Sequence, residues 1–221
     1  MIDTHQLKKR DLYLNKILAF QDTEPVKVVT GIRRCGKSSL LKLMTLHLKE
    51  NGIAEDQILE MNFESYAFKN MNSDSFYQYV REHIIPNKRM YLFFDEVQRV
   101  PKWEDAINSF RVDFDCDIYI TGSNAKLLSG DLATNLSGRY VTFTIYPFSF
   151  AEFVEASRDI GLNEPLSGTF QRYIEIGGMP GATAFLQSRD AALRYLQDIY
   201  NSVLIKDIVK RHNIRNVDLL E

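Results

Sequence analysis

Eight consecutive residues, Gly31-Ile32-Arg33-Arg34-Cys35-Gly36-Lys37-Ser38, satisfy the pattern G-x-x-x-x-G-K-S/T at every fixed position. Residues of these types at this spacing suit the gripping of a polyphosphate. The two glycines let the backbone curl close to an anion with no side chain in the way. Lys37 brings an ammonium to the β- and γ-phosphates, and the Ser38 hydroxyl suits Mg²⁺. With Ser39 these residues, 31 to 39, form the expected nucleotide-binding set. Arg33 and Arg34 fill variable positions, where they would either sense phosphate or stand solvated. Cys35 reads as a tolerated small residue. A second chemical landmark is the carboxylate pair Asp95-Glu96, which ends the apolar run Met90-Tyr91-Leu92-Phe93-Phe94. Asp95 is expected to hold Mg²⁺ through water and Glu96 to polarise an attacking water, as phosphoryl transfer to water requires. A polar cluster, Thr121-Gly122-Ser123-Asn124, would either touch the γ-phosphate or the water, or form a plain turn.

The surrounding pattern places these residues. Val26-Lys27-Val28-Val29-Thr30 is β-branched and reads as a buried strand, and Ser39 to Leu48 reads as a helix ended by Asn51-Gly52. Strand, glycine loop and helix in succession are the context that separates a P-loop from a chance match. The helix N-terminus adds unpaired N–H groups and partial positive charge, both favourable to phosphate. Ile58 to Phe63, Met90 to Phe94, Cys116 to Ile120 and Tyr140 to Tyr146 read as four further strands. Runs apolar throughout fit a parallel sheet covered on both faces. Helices are expected over Asp11–Phe20, Ser73–Ile85 with Ser73 as N-cap, and from Pro101 to about Val112. The lone Trp103 reads as a packing anchor. Ala125 to Leu136 is also helical in character. Acids at the C-terminal end of a strand lie where open α/β sheets place their ligands.

From about Gly161 the strand pattern stops. Amphipathic helices, broken at Gly177-Gly178-Met179-Pro180-Gly181, suggest a small helical lid, residues 161–221, after a core of residues 1–160 with a leading helix in 1–22. The densest basic stretch, Lys206, Lys210, Arg211, His212 and Arg215, reads as solvated helix surface or as a contact for nucleic acid or an acidic partner. The triplet Lys8-Lys9-Arg10 reads as a solvated face.

The 221 residues suit one large domain, or one with a small appendage. A net charge of −2 gives no global case for nucleic acid. Two cysteines make no disulfide framework, and four scattered histidines show no zinc spacing. No serine- or cysteine-type hydrolase pattern appears. The polar N-terminus carries no leader and no run approaches a membrane span, so a cytoplasmic, non-membrane protein is expected.

Six motifs occur in order: Gly31 to Ser38, Phe93-Phe94-Asp95-Glu96-Val97-Gln98, Ile120-Thr121-Gly122-Ser123-Asn124, Leu136-Ser137-Gly138-Arg139-Tyr140, Tyr146 to Phe153, and Gly177-Gly178-Met179-Pro180. Together they resemble the prokaryotic AAA-like P-loop ATPases, whose ATPase core precedes a C-terminal domain of uncharacterised function. The resemblance implies a three-layer α/β sandwich with a five-stranded parallel sheet in the order 5-1-4-3-2, and ATP with Mg²⁺ as cofactors. It implies Ser123 or Asn124 as sensor and Arg139 as the arginine that reads the γ-phosphate, in its own subunit or a neighbour's. Asn62 would restrain Glu96 as an AAA-type glutamate switch. Family members continue past Glu221, so the further domain that would engage nucleic acid or protein is expected to be missing here. The resemblance leaves a homo-oligomer open.

Three functions compete on this reading. The first is a Mg²⁺-dependent ATPase acting as a switch or motor. The second is a nucleotide-gated module that binds nucleic acid or protein and hydrolyses slowly. The third is a P-loop kinase, disfavoured by a water-activating acid beside Asp95.

Overall fold

The computed structural model describes residues 7–122, 136 and 138–203. Five strands, β1 (Val26–Gly31), β2 (Ile58–Asn62), β3 (Met90–Asp95), β4 (Cys116–Thr121) and β5 (Tyr140–Ile145), form one sheet in the order β2-β3-β4-β1-β5. Every pair is parallel. This is the order 5-1-4-3-2 that the resemblance implied. Strands β1 and β3 are buried along their whole length, which is why neither alternates apolar with solvent-facing residues.

The chain divides into two compact units. The first comprises residues 1–31 and 37–145 and contains the sheet. Helices α1 (Asp11–Leu18) and α2 (Lys37–Glu50) pack together, α2 also meeting β1, β3 and β4 and α1 meeting β5. Helices α3 (Ser73–His83) and α4 (Trp103–Asp113) pack as a pair with the sheet residues Val28, Leu92, Phe94 and Ile120 in one apolar cluster. Phe76 sits at its centre, edge-on to Phe63, Phe94 and Phe110 at 4.7–5.1 Å. Trp103 is buried in the same cluster, as a packing anchor should be. The cap of α3 is Asn72, not Ser73: its side chain accepts from Ser75 N–H while the Ser75 hydroxyl accepts from Asn72 N–H.

Basic side chains are among those buried in this unit. Arg10 is buried, its guanidinium 4.5 Å from the Tyr13 ring, so the triplet at 8–10 is not a solvated face throughout. Lys27 is fully buried inside β1 and paired at 2.5 Å with the equally buried Asp117 of β4. The parallel register sets Lys27 opposite Tyr119, two residues beyond Asp117, within reach of a long side chain. Asp117 also accepts from the Tyr119 hydroxyl and from Asp22 N–H.

The second unit comprises residues 32–36 and 146–221, and its described helices are α5 (Phe150–Asp159), α6 (Leu166–Ile176) and α7 (Arg189–Val203). The compact-unit boundary therefore falls at residue 145, earlier than the expected 160. The reason is Phe153 of α5, which is buried among Ile176, Met179, Ala182 and Leu186. The glycine-rich break after α6 is a packed turn. A Cβ on Gly178 would lie 2.1 Å from the Phe148 carbonyl oxygen, and one on Gly181 would lie 2.0 Å from the Tyr195 hydroxyl. Among the described residues no helix is long and apolar enough to cross a membrane.

Candidate functional site

Strand β1 ends at Gly31, whose φ of 151° only glycine adopts comfortably, and α2 begins at Lys37. Between them Arg34 (φ 64°) and Gly36 (φ 105°) take left-handed backbone conformations, and Cys35 N–H closes on the Ile32 carbonyl at 3.3 Å. Alternation of hand turns successive peptide N–H groups toward one side, the form of an anion nest. Lys37 is buried and folded back over the loop, its Nζ donating to the Gly31 carbonyl at 3.1 Å. Ser38 and Ser39 follow, half-buried on the first turn of α2.

The variable loop residues divide sharply. Ile32 is exposed, Cys35 is fully buried, and Arg33 is half-buried with an Nε that has no hydrogen-bond partner among the described residues. Arg34 sits with its guanidinium 5.6 Å from the centre of the Tyr195 ring on α7. Nothing local in the sequence pairs residue 34 with residue 195; the contact belongs to the second unit's packing.

Asp95 closes β3 and is 7% exposed. Both its carboxylate oxygens are engaged: Oδ1 accepts a short hydrogen bond from the Thr121 hydroxyl, and Oδ2 accepts from Asn62 Nδ2 at 3.1 Å. The same Thr121 oxygen accepts from the backbone N–H of Glu96 at 3.0 Å. One fully buried hydroxyl on β4 thus ties the Asp95 carboxylate to the backbone of the adjacent Glu96. This follows from the register, which pairs Phe94 with Ile120 and leaves Asp95 and Thr121 side by side at the strand ends. Of the expected cluster at residues 121–124, Thr121 bonds to Asp95 and to the Glu96 backbone. Ser123 and Asn124 lie outside the described residues, as do the basic positions from Lys206 to Arg215.

Glu96 is half-buried and left-handed (φ 56°, ψ 43°), a backbone state that costs a side-chain-bearing residue roughly 1 kcal/mol. Strain of this kind gathers at functional sites. Its Oε2 accepts from Gln98 Nε2 at 2.5 Å. Asn62 donates to Asp95 rather than to Glu96, and its Oδ1 accepts from Glu64 N–H. The expected glutamate-switch contact from Asn62 is thus replaced by one from Gln98.

Along the carboxyl edge of the sheet, β4 alone separates β3 from β1. At ~4.8 Å per strand the acids and the loop stem stand about 10 Å apart, room for a phosphate with a hydrated ion. Ser38 and Asp95 offer hard oxygen donors, which suit Mg²⁺. Among the described residues no cluster of three or more His, Cys, Asp or Glu side chains could cage a metal. A single carboxylate plus substrate phosphates is how proteins usually hold Mg²⁺, so the residues present fit that ion.

Arg139 is not brought to this edge. It is exposed, and its carbonyl accepts from Val26 N–H at 3.0 Å, at the start of β1. Since Val26 pairs with Tyr140 and Gly31 with Ile145, Arg139 lies at the opposite edge of the sheet. At ~3.3 Å per strand residue its backbone is about 20 Å from Gly31 along the strands.

Residues 23–154 match a family described as an AAA domain. An uncharacterised protein of Haemophilus influenzae is 36% identical over 214 residues, and one of Methanocaldococcus jannaschii is 27% identical over 227 residues. The matches take in 96% and 98% of this chain but 53% and 49% of those proteins, so the chain spans about half the length of the curated relatives it matches. Two solved structures share the fold at a TM-score of 0.50. A DNA polymerase III gamma subunit-related protein of Thermotoga maritima is 12% identical, the likeness taking in 80% of this chain and 62% of that one. AMPPCP-bound DnaA of Aquifex aeolicus is 13% identical, with 92% and 62% covered. Loop, strand order and a family match over more than half of its length together place the chain in the AAA domain family of P-loop ATPases.

Proposed function

We propose that this chain is a Mg²⁺-dependent ATPase module whose nucleotide state acts as a switch. The observation that carries the reading is the Thr121 bridge, which fixes Asp95 and Glu96 as a unit at the sheet edge from which the phosphate loop also emerges. In this reading Lys37 leaves the Gly31 carbonyl for the β- and γ-phosphates, and the loop amides donate to the phosphate oxygens. Ser38 and Asp95 would hold Mg²⁺, which would supply neutralisation of charge on the phosphate oxygens. Glu96 accepts the proton of the water that attacks the γ-phosphorus, and ADP leaves. Support for the switch lies in Arg34, a loop residue whose guanidinium rests on Tyr195 within the second unit.

Arg139, exposed at the far edge, would serve a triphosphate only in a neighbouring copy, so self-association is part of the proposal. The test is steady-state phosphate release with Glu96→Gln, run across protein concentrations. The variant should bind Mg·ATP as the parent does while turnover falls by about 10²-fold or more. Turnover unchanged in Glu96→Gln would remove Glu96 from the chemistry. A specific rate independent of concentration would remove the neighbour's arginine.

A further inference from the structure

Gln98 stands on the single 3-10 turn, residues 97–99, that follows Glu96. Its Nε2 donates to Glu96 Oε2 at 2.5 Å, while its Oε1 is buried and has no hydrogen-bond partner among the described residues. Burying a carbonyl oxygen unpaired is unfavourable, whereas a methionine of similar length would fill the same space without that cost. Packing alone therefore does not explain an amide at this position. What the amide supplies is one N–H aimed at the carboxylate of a residue whose own backbone is strained. The turn that carries Gln98 is itself anchored. Arg99, next along it, pairs with Glu64 at 2.9 Å, and Glu64 N–H is bound to Asn62 Oδ1 at 2.8 Å. Asn62 in turn holds Asp95. The amide thus reaches Glu96 from a support tied to β2 as well as to β3.

We infer that Gln98 is a positioning residue for Glu96: it holds Oε2 and thereby points the other carboxylate oxygen at the attacking water. The inference rests on Glu96 acting as the base. With both oxygens of Asp95 held by Thr121 and Asn62, Gln98 completes a set of three side chains that fix the two acids. Asparagine at 98, one methylene shorter, would not span to Glu96 without shifting the turn.

The test compares the full chain with Gln98→Met, Gln98→Asn and Glu96→Gln. Loss of one hydrogen bond to a charged group predicts a fall in kcat of about tenfold for Gln98→Met, with KM for Mg·ATP within about twofold. The midpoint of urea unfolding should be unchanged or higher, since the unpaired carbonyl is gone. A merely structural role would move stability and leave kcat alone. Single-turnover rates should also be non-additive, Gln98→Met changing the rate little once Glu96 is glutamine. Gln98→Asn should not restore the parent rate. Parent-like kcat in Gln98→Met, or a loss that adds in full to that of Glu96→Gln, would overturn the inference while leaving Glu96 as the base. A null effect of Glu96→Gln itself would instead overturn the underlying reading.

Discussion

Thr121→Val is the sharpest test of how the site is built. Valine keeps the shape of threonine, so no cavity opens at this fully buried position. It removes the short hydrogen bond to Asp95 Oδ1 and the acceptor for Glu96 N–H at 3.0 Å. A hydrogen bond to a charged group contributes about 1.5–3 kcal/mol and a neutral one about 0.5–1.5 kcal/mol. With the position closed to water, nothing replaces either bond, and the combined loss should be about 2–4.5 kcal/mol. The single tryptophan, Trp103, is packed in the cluster that contains Ile120, so its fluorescence reports this unit during urea titration. Hydrogen exchange at the Glu96 amide gives a local reading of the same bond. Thr121→Ser, which keeps the hydroxyl, should recover most of the loss. A Thr121→Val midpoint equivalent to less than about 0.5 kcal/mol, with Glu96 N–H as protected as before, would refute the bridge.

Two further outcomes follow from the polar groups inside the sheet. Asp117→Ala should cost about 3–5 kcal/mol, because it strands the Lys27 ammonium at full burial. Lys27→Met should cost far less, since Asp117 keeps the Tyr119 hydroxyl and Asp22 N–H; thermal melts of the two variants compare them directly. Burial, followed by the neighbouring Asp117 charge, pushes the Cys116 thiol up to about 12 from 9.0. The folded chain therefore keeps a proton that the unfolded chain sheds, and this contribution to stability is whole below pH 9.0 and lost as pH rises toward 12. Burial lowers Lys27 and gives the opposite slope below 10.5, so the comparison is parent against Cys116→Ala, in which Lys27 is common. The difference in urea midpoint should shrink above pH 9.0; a constant difference would contradict the raised thiol.

What the linear chain determined on its own was whatever covalent spacing controls. Gly31 to Ser38 lie within one turn of backbone between a strand and a helix, and Asp95 adjoins Glu96, so both landmarks and their placement at strand ends were readable in one dimension. The apolar runs also sufficed for a parallel sheet with covered faces, because strands buried on both sides cannot alternate. The tertiary structure decided each relation that depends on which strands become neighbours. Thr121 reaches both acids only because β4 lies between β3 and β1, and Arg139 stands at the far edge only because β5 runs parallel to β1. Asn62 was the expected partner for Glu96, and the structure supplies Gln98 instead. Register set Asn62 opposite Asp95, and the left-handed turn at Glu96 brought Gln98 back onto it. Hydrogen bonds act over about 3 Å, and distances that short between distant residues are set by packing rather than by order along the chain.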